Sequence, residues 1–179
     1  DVEVDRLARR LADLLLPSRA DTARPLLYTQ PLDLRDLLVK VVEQISPLSG
    51  ARGQKIEMTV PLSIPMQGDQ DKLVRLFFNL LDNAVKYGPI GQTIRVSVEG
   101  RAPATAVISV TDEGNGVPES DRKRIWTAFA RAKTSTDAAG SGIGLTIVND
   151  VVSPNGGQAW VESSPSGGAP VIGTMPAIA

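Results

Sequence analysis

Two asparagines and a lysine share one helical stripe near the middle of the chain. Asn79 and Asn83 are four residues apart, and Lys86 follows three residues later. Amide oxygens are suitable ligands for a hard cation such as Mg²⁺, which keeps several waters and takes further oxygens from phosphates. Lys86 could then meet a phosphate as a point charge. The same stripe also fits a merely solvated helix edge, and nothing within this helix decides between the two interpretations.

An aspartate and two glycines follow a predicted strand. Residues 106–111 alternate like a strand with one buried face and lead directly into Asp112, with Gly114 and Gly116 behind it. Such a segment is usually only a turn. In the functional interpretation, Asp112 would bind a purine base, because a carboxylate can accept a hydrogen bond from the exocyclic amine of adenine. Gly114 and Gly116 would then let the backbone approach the ligand, since glycine has no Cβ.

A later glycine cluster opens another predicted helix, whose apolar positions are Ile143, Ile147, Val148 and Val151. Gly140, Gly142 and Gly144 precede or begin this helix, where glycines can present free N–H groups to phosphate. The cluster alone also matches a dinucleotide fingerprint or a flexible linker. It lacks the Gly-Lys-Ser/Thr of a P-loop, and it follows a polar stretch rather than a strand. The Rossmann interpretation therefore fails on context.

Amphipathic elements must position these residues. The stretch 69–87 predicts a helix whose buried face contains Leu73, Leu76, Phe77, Leu80, Leu81 and Ala84. An earlier helix is predicted to begin at Asp33, which can cap it with Asp36 in the first turn, and to run toward Pro47. Residues 55–60 predict a strand that follows this helix.

In this order, the three functional segments resemble the ATP-binding domain of sensor histidine kinases. That domain belongs to a superfamily, GHKL, that includes type II topoisomerases, mismatch-repair ATPases and a class of large chaperones. Residues 79–87 resemble the N box, 112–116 the first glycine box, 140–144 the second glycine box, and 125–131 the phenylalanine box. The resemblance covers roughly residues 32–176.

The resemblance implies an α/β (α+β) two-layer sandwich of the Bergerat type, in which helices cover one face of a mixed, mainly antiparallel sheet. Predicted strands over 93–99, 106–111 and 158–163 support this fold. It also divides the chain into residues 1–24, the end of a dimerisation and phosphoacceptor helix with its linker, and residues 25–179, the ATP-binding catalytic domain. The opening segment carries a short coiled-coil-like stripe, formed by Val4, Leu7, Leu11 and Leu14. A single amphipathic helix packed on its own domain would give the same pattern.

The resemblance assigns ATP and Mg²⁺ as ligands. Asp112 would recognise adenine, and Tyr87 would flank its ring. Asn79 and Asn83 would contact the metal, while Lys86 would contact phosphate; Asn83 and Lys86 are also expected to be catalytic.

A mobile lid over residues 131–141 is the other expected part of the site. Arg131 would be catalytic, because it could stabilise charge on the transferring phosphoryl group. Phe129 and Trp126 would pack the base of the lid, although plain core packing suits Trp126 as well. The remaining expected nucleotide contacts are Gly114, Gly116, Gly140, Gly142, Ile143, Gly144 and Leu145.

Composition restricts the function further. The 179 residues carry a net charge of −1, contain no cysteine, and include no apolar run near the ~20 residues that span a bilayer. We therefore expect no nucleic-acid partner, no thiolate metal site and no membrane contact by this segment. The resemblance implies a cytoplasmic domain whose parent could be anchored upstream.

The chain contains no histidine. The family transfers phosphate to a histidine on a hairpin domain and then to an aspartate of a response regulator. We therefore expect this chain to be the donor half of a protein-histidine kinase, with its own hairpin domain and a response regulator as partners and a homodimeric parent. Two alternatives remain open from the sequence, namely a non-catalytic ATP-binding or dimerising regulator (a pseudokinase), and a serine kinase of the same fold.

Overall fold

The computed structural model describes residues 29–101, 104–126, 144–153, 156–162 and 170–176. The predicted opening helix and the boundary between residues 24 and 25 lie outside these ranges. Three helices and seven strands are described, in the order β1 (Gln30–Asp33), α1 (Leu34–Ala51), β2 (Lys55–Thr59), β3 (Pro65–Gly68), α2 (Gln70–Tyr87), β4 (Thr93–Arg101), β5 (Thr105–Thr111), α3 (Gly144–Val152), β6 (Gln158–Val161) and β7 (Val171–Pro176). Two short 3₁₀ turns, Glu119–Asp121 and Arg124–Trp126, lie between β5 and α3.

Five strands form one sheet in the order β2-β4-β5-β7-β6. The pair β2 and β4 is parallel, and the other neighbours are antiparallel. The predicted mixed, mainly antiparallel sheet is therefore confirmed. Strands β1 and β3 form a separate antiparallel pair that was not predicted. Each has only four residues and includes a proline, so neither has the alternating pattern that identifies a strand from sequence.

The helices pack on one face of the sheet. Alternate residues of β5, namely Ala106, Ile108 and Val110, are buried in the core, while the residues between them are only partly buried. All six apolar residues predicted for α2 are buried, and they are joined by Val85. Burial of this face, at roughly 25 cal/mol per Å² of apolar surface, is what holds the helix against the sheet. Within the described ranges, no helix combines the length and the apolar character needed to cross a bilayer.

Helix α1 begins where the sequence predicted and ends later. It runs through Pro47 to Ala51, four residues beyond the predicted stop. Proline removes one helical N–H and strains the preceding turn, but Pro47 lies on the exposed side of α1, where water can reach the freed carbonyl. The true end is a Schellman motif, in which Gly53 adopts φ +64° and the Gln54 N–H donates to the Ser49 carbonyl at 2.9 Å.

Asp33 caps α1 and also fixes a neighbouring loop. Its Oδ1 accepts hydrogen bonds from the N–H groups of Arg35 (2.9 Å) and Ile64 (3.1 Å), and its Oδ2 accepts one from the Ser63 hydroxyl (2.5 Å). The Ser63 hydroxyl, helped by backbone N–H groups, lowers the pKa of the Asp33 carboxyl below its ordinary value of 3.8.

Asp33→Ala is expected to reduce the free energy of unfolding at neutral pH by about 1–2 kcal/mol, the upper range for loss of an N-cap. Because the folded-state pKa is lowered, this stabilisation is present above the ordinary value and is lost as pH falls through the folded-state pKa. Urea unfolding of both proteins at several pH values measures the difference, which should shrink below pH 3.8. Asp36→Ala, in the same first turn, is the control and should cost about 0.3–1 kcal/mol. Equal losses for the two variants would contradict the capping role.

Candidate functional site

Helix α2 presents the predicted asparagine stripe beside its buried face. Asp69 caps the helix through a 3.2 Å bond from the Lys72 N–H to its Oδ1. Asn79 and Asn83 are both partly buried. The Asn79 amide nitrogen donates to the Arg75 carbonyl at 2.6 Å, and its oxygen accepts no hydrogen bond within the described residues. Thus both asparagines lie at the border between core and solvent, where a bound ligand could reach them.

Lys86 is held by a neighbouring carboxylate. Its Nζ lies 2.5 Å from Asp82 Oδ2, one helical turn earlier, and the lysine side chain remains 45% exposed. An exposed pair of this kind contributes only about 0.3–0.5 kcal/mol. A phosphate could therefore draw Lys86 away from Asp82 at little cost.

The end of α2 meets the acidic glycine loop. Asp112 follows β5, and its Oδ1 accepts a 2.7 Å hydrogen bond from the Gly114 N–H. A Cβ added to Gly114 would lie 2.9 Å from the Tyr87 carbonyl oxygen, so the loop and the helix end are in close contact here. Gly116 adopts φ +70°, which also favours glycine. These contacts give both glycines a reason within the fold, besides the predicted approach to a ligand.

Gln92 joins the end of α2 to the Asp112 loop, a role that was not predicted from the sequence. Its side chain is buried, with 2% of the residue exposed. Its Nε2 donates to the Ala84 carbonyl at 2.7 Å, and its Oε1 accepts from the Glu113 N–H at 2.8 Å. The residue therefore links the turn that follows Asn83 to the residue that follows Asp112.

Two further side chains satisfy carbonyls at the end of α2. Gln54 Nε2 donates to the carbonyls of Val85 (3.1 Å) and Pro89 (2.9 Å), and Arg52 donates to the Gly88 carbonyl at 3.2 Å. A helix leaves its last four carbonyls without intrahelical partners, and these amide and guanidinium donors supply some of them. Isolated glutamines have no periodic signal, which is why neither Gln92 nor Gln54 could be found from sequence.

Helix α3 begins at Gly144, as the second glycine cluster predicted. Val148 and Val151 are buried in the core shared with α2. Leu145 and Trp126 are partly buried and pack against the same small cluster, so Trp126 has the core packing that was one of its two interpretations. The other expected site residues, Phe129, Arg131, Gly140, Gly142 and Ile143, lie outside the described residues, as does the proposed lid.

The donor set around α2 fits Mg²⁺ held together with a nucleotide. Among the described residues, no group of three His, Cys, Asp or Glu side chains forms a complete metal cage. Within the described residues, the Asn83 amide makes no hydrogen bond, although asparagine is unfavourable inside a helix. Mg²⁺ usually keeps several waters and takes only one or two oxygens from the protein, commonly carboxylates, with the others from substrate phosphates. The amide oxygens of Asn79 and Asn83 could supply that small protein share.

The comparisons with known proteins agree with this geometry. Residues 68–178 match the family described as "Histidine kinase-, DNA gyrase B-, and HSP90-like ATPase". The adaptive-response sensory kinase SasA of Synechococcus sp. (strain JA-2-3B'a(2-13)) is 30% identical over 175 residues. That alignment covers 97% of this chain and 46% of SasA, so the chain spans about half the length of this relative.

Two solved structures resemble the fold. The mycobacterial sensor histidine kinase MprB superposes with a TM-score of 0.75 at 28% identity, over 83% of this chain and 97% of the MprB chain. Full-length ShkA in complex with AMPPNP gives a TM-score of 0.75 at 29% identity, over 88% of this chain and 32% of ShkA. The matched residues include α2, the Asp112 loop and α3, which together form the candidate site. The chain therefore belongs to the histidine kinase-, DNA gyrase B- and HSP90-like ATPase family, and it carries the ATP-binding catalytic domain of a sensor histidine kinase.

Proposed function

We propose that this chain is the donor half of a protein-histidine kinase. It binds ATP with Mg²⁺ and donates the γ-phosphate to a histidine on a separate hairpin domain, for onward transfer to a response regulator aspartate. The single observation that carries the proposal is the meeting of two segments at one place, where the helix with Asn79 and Asn83 ends against the loop that begins at Asp112. The asparagines of the helix suit the binding of metal and phosphate, and the aspartate of the loop suits the binding of a purine. The complex of the related ShkA with AMPPNP, an ATP analogue, supports the same assignment.

At the base end, Asp112 is the proposed acceptor for the adenine amine. Its Oδ1 already fixes the loop by accepting from the Gly114 N–H. Tyr87, which is 40% exposed at the end of α2, would flank the ring. A carboxylate facing the base would disfavour guanine, which has a carbonyl oxygen where adenine has an amine.

At the phosphate end, Asn79 and Asn83 would hold Mg²⁺ through their amide oxygens. When bound, the metal would neutralise charge on the β and γ oxygens during transfer. Lys86 would exchange Asp82 for a phosphate oxygen. We also propose that Arg131 stabilises charge on the transferring phosphoryl group and that Phe129 packs the base of the lid.

The second glycine cluster would complete the phosphate end. We propose that Gly140, Gly142 and Gly144 form the hinge of the lid, with Ile143 and Leu145 beside the nucleotide.

The transfer itself has a simple balance. A nitrogen of the acceptor histidine attacks the γ-phosphorus, the bond to the β-phosphate oxygen breaks, and ADP leaves. The role of this chain is to bind, orient and stabilise charge, since it contains no histidine to accept the phosphate. We further propose that residues 1–24 end a dimerisation helix, that residues 25–179 form the catalytic domain, and that the parent is a cytoplasmic or membrane-anchored homodimer with its catalytic domain in the cytoplasm.

The experiment that tests this function uses ATP labelled at the γ-phosphate, with Mg²⁺. The chain alone should form no phosphohistidine. Mixed with a hairpin domain from the same parent, it should label that domain at a histidine, and a hairpin with glutamine at that position should remain unlabelled. Transfer should be slow, because the tether that gives the partners an effective concentration near millimolar is absent.

Two other outcomes would replace the proposal. An acid-stable phosphoserine on the partner would indicate a serine kinase of the same fold. Tight ATP binding without transfer at any concentration would indicate a non-catalytic regulator.

A further inference from the structure

A buried amide stands between the two halves of the candidate site. Gln92 donates from Nε2 to the Ala84 carbonyl at 2.7 Å and accepts at Oε1 from the Glu113 N–H at 2.8 Å. Ala84 directly follows Asn83, and Glu113 directly follows Asp112. One planar amide therefore sets the spacing between the backbone behind the proposed metal ligand and the backbone behind the proposed adenine acceptor.

The bridge is anchored on the sheet and fits a space kept open for it. The Gln92 carbonyl accepts from the Lys55 N–H at 2.9 Å, and β4 begins at the next residue. A Cβ added to Gly88 would lie 2.0 Å from Gln92 Nε2, so glycine at position 88 leaves the room that the amide occupies. Because planar amides have fixed directions for donor and acceptor, the bridge can hold the loop in one position relative to α2.

We propose that Gln92 is a positioning residue for nucleotide recognition, holding the Asp112 loop in register with the asparagine face of α2. The inference rests on the proposed function, because it concerns adenine recognition at the same site. A bound nucleotide would contact the Asp112 loop with its base and α2 with its phosphates. If the distance between the two segments is wrong, the nucleotide cannot make both sets of contacts well at the same time. Without the bridge, the protein would bind ATP less tightly and would distinguish it less well from GTP.

Gln54 is a matched control within the same chain. It is also buried, with 5% exposed, and it also donates to carbonyls at the end of α2. Within the described part of the chain, its side-chain bonds go only to Val85 and Pro89 and not to the acidic loop. Replacing Gln54 therefore removes support from the helix end without releasing Glu113.

The test compares Gln92→Met with Gln54→Met, two substitutions that keep the side-chain volume nearly constant. Thermal unfolding measures stability, and calorimetry measures the dissociation constants of ATP and GTP for each folded protein. Both variants should unfold at lower temperature than the parent. Gln92→Met should in addition bind ATP about tenfold more weakly, the size expected from one lost hydrogen bond to a positioned loop, and its preference for ATP over GTP should narrow. Gln54→Met should keep both the parent affinity and the parent preference.

The outcomes separate this inference from the proposed function. If the parent binds no ATP, the proposed function fails. If the parent binds ATP and the two variants lose stability while keeping its affinity and preference, Gln92 is only structural and the inference is wrong.

If Gln92→Met does not fold, hydrogen exchange on the unmodified protein tests the inference instead. The Glu113 amide of that protein should be protected from exchange, and ATP should increase its protection. Exchange at the rate of an open loop, or protection that ATP leaves unchanged, would overturn the inference.

Discussion

Asp112→Asn is expected to weaken ATP binding by about ten- to a hundredfold, since a hydrogen bond to a charged group contributes about 1.5–3 kcal/mol. The substitution is nearly isosteric. An asparagine oxygen can still accept from the Gly114 N–H, as asparagine commonly does in such turns, so the loop should keep its shape. The new amide group would face the adenine amine with a donor instead of an acceptor. GTP binding should fall less or even improve, because an amide can donate to the guanine carbonyl.

Glu113→Gln is the control for this prediction, since it removes one negative charge from the adjacent residue. The Glu113 side chain is 41% exposed and pairs with Arg95 at 3.3 Å. It should change ATP affinity far less than Asp112→Asn does. Calorimetry with ATP and GTP on the three proteins measures the effect. Equal affinities for the two nucleotides in the parent, or equal losses in the two variants, would remove Asp112 from its role.

The parts of the fold that sequence predicted are those with a long periodic signal. Helix α2 has 18 residues, and its six predicted apolar positions are all buried. Strands β4 and β5 are also long enough for alternation to show. In contrast, the four-residue strands β1 and β3 gave no signal, and their pairing depends on contacts between segments more than 30 residues apart. The predicted end of α1 at Pro47 is too early, because the exposed side of the helix tolerates a proline and the helix ends only at the Gly53 turn.

The site divides in the same way. The sequence singles out Asp112, Gly114 and the asparagines as candidate site residues because their segments follow one another in a specific order, and their roles stay predictions. Gln92 and Gln54 were not, since a buried glutamine is recognised only by the carbonyls and N–H groups that surround it. The pairing of Lys86 with Asp82 was also not expected. Asp82 lies one helical turn before Lys86, whereas the resemblance assigns Lys86 to a phosphate of the nucleotide.

Asn83→Ala is expected to abolish most of the affinity that Mg²⁺ adds to ATP binding. Mutating a residue that only hydrogen-bonds to a metal ligand lowers metal affinity by about 10–100-fold. Removing a direct ligand should therefore lower it at least as much. The fold should not lose stability, because the Asn83 amide makes no hydrogen bond within the described residues, and alanine is the better helix former by up to about 0.7 kcal/mol. Stability should therefore stay constant or rise while Mg²⁺-dependent binding falls.

The measurement is the dissociation constant of ATP with Mg²⁺ and with a chelator, for the parent, for Asn83→Ala and for Asn149→Ala. Asn149 is an exposed asparagine of α3, so it controls for the same substitution on another helix. The parent and Asn149→Ala should bind ATP more tightly with Mg²⁺, whereas Asn83→Ala should show little difference between the two conditions. With chelator, all three proteins should bind ATP with the same dissociation constant, because Mg²⁺ then contributes to none of the complexes. If Asn83→Ala folds and gains as much from Mg²⁺ as the parent does, the asparagines of α2 are only a polar stripe, and the phosphate end of the site must be assigned to other residues.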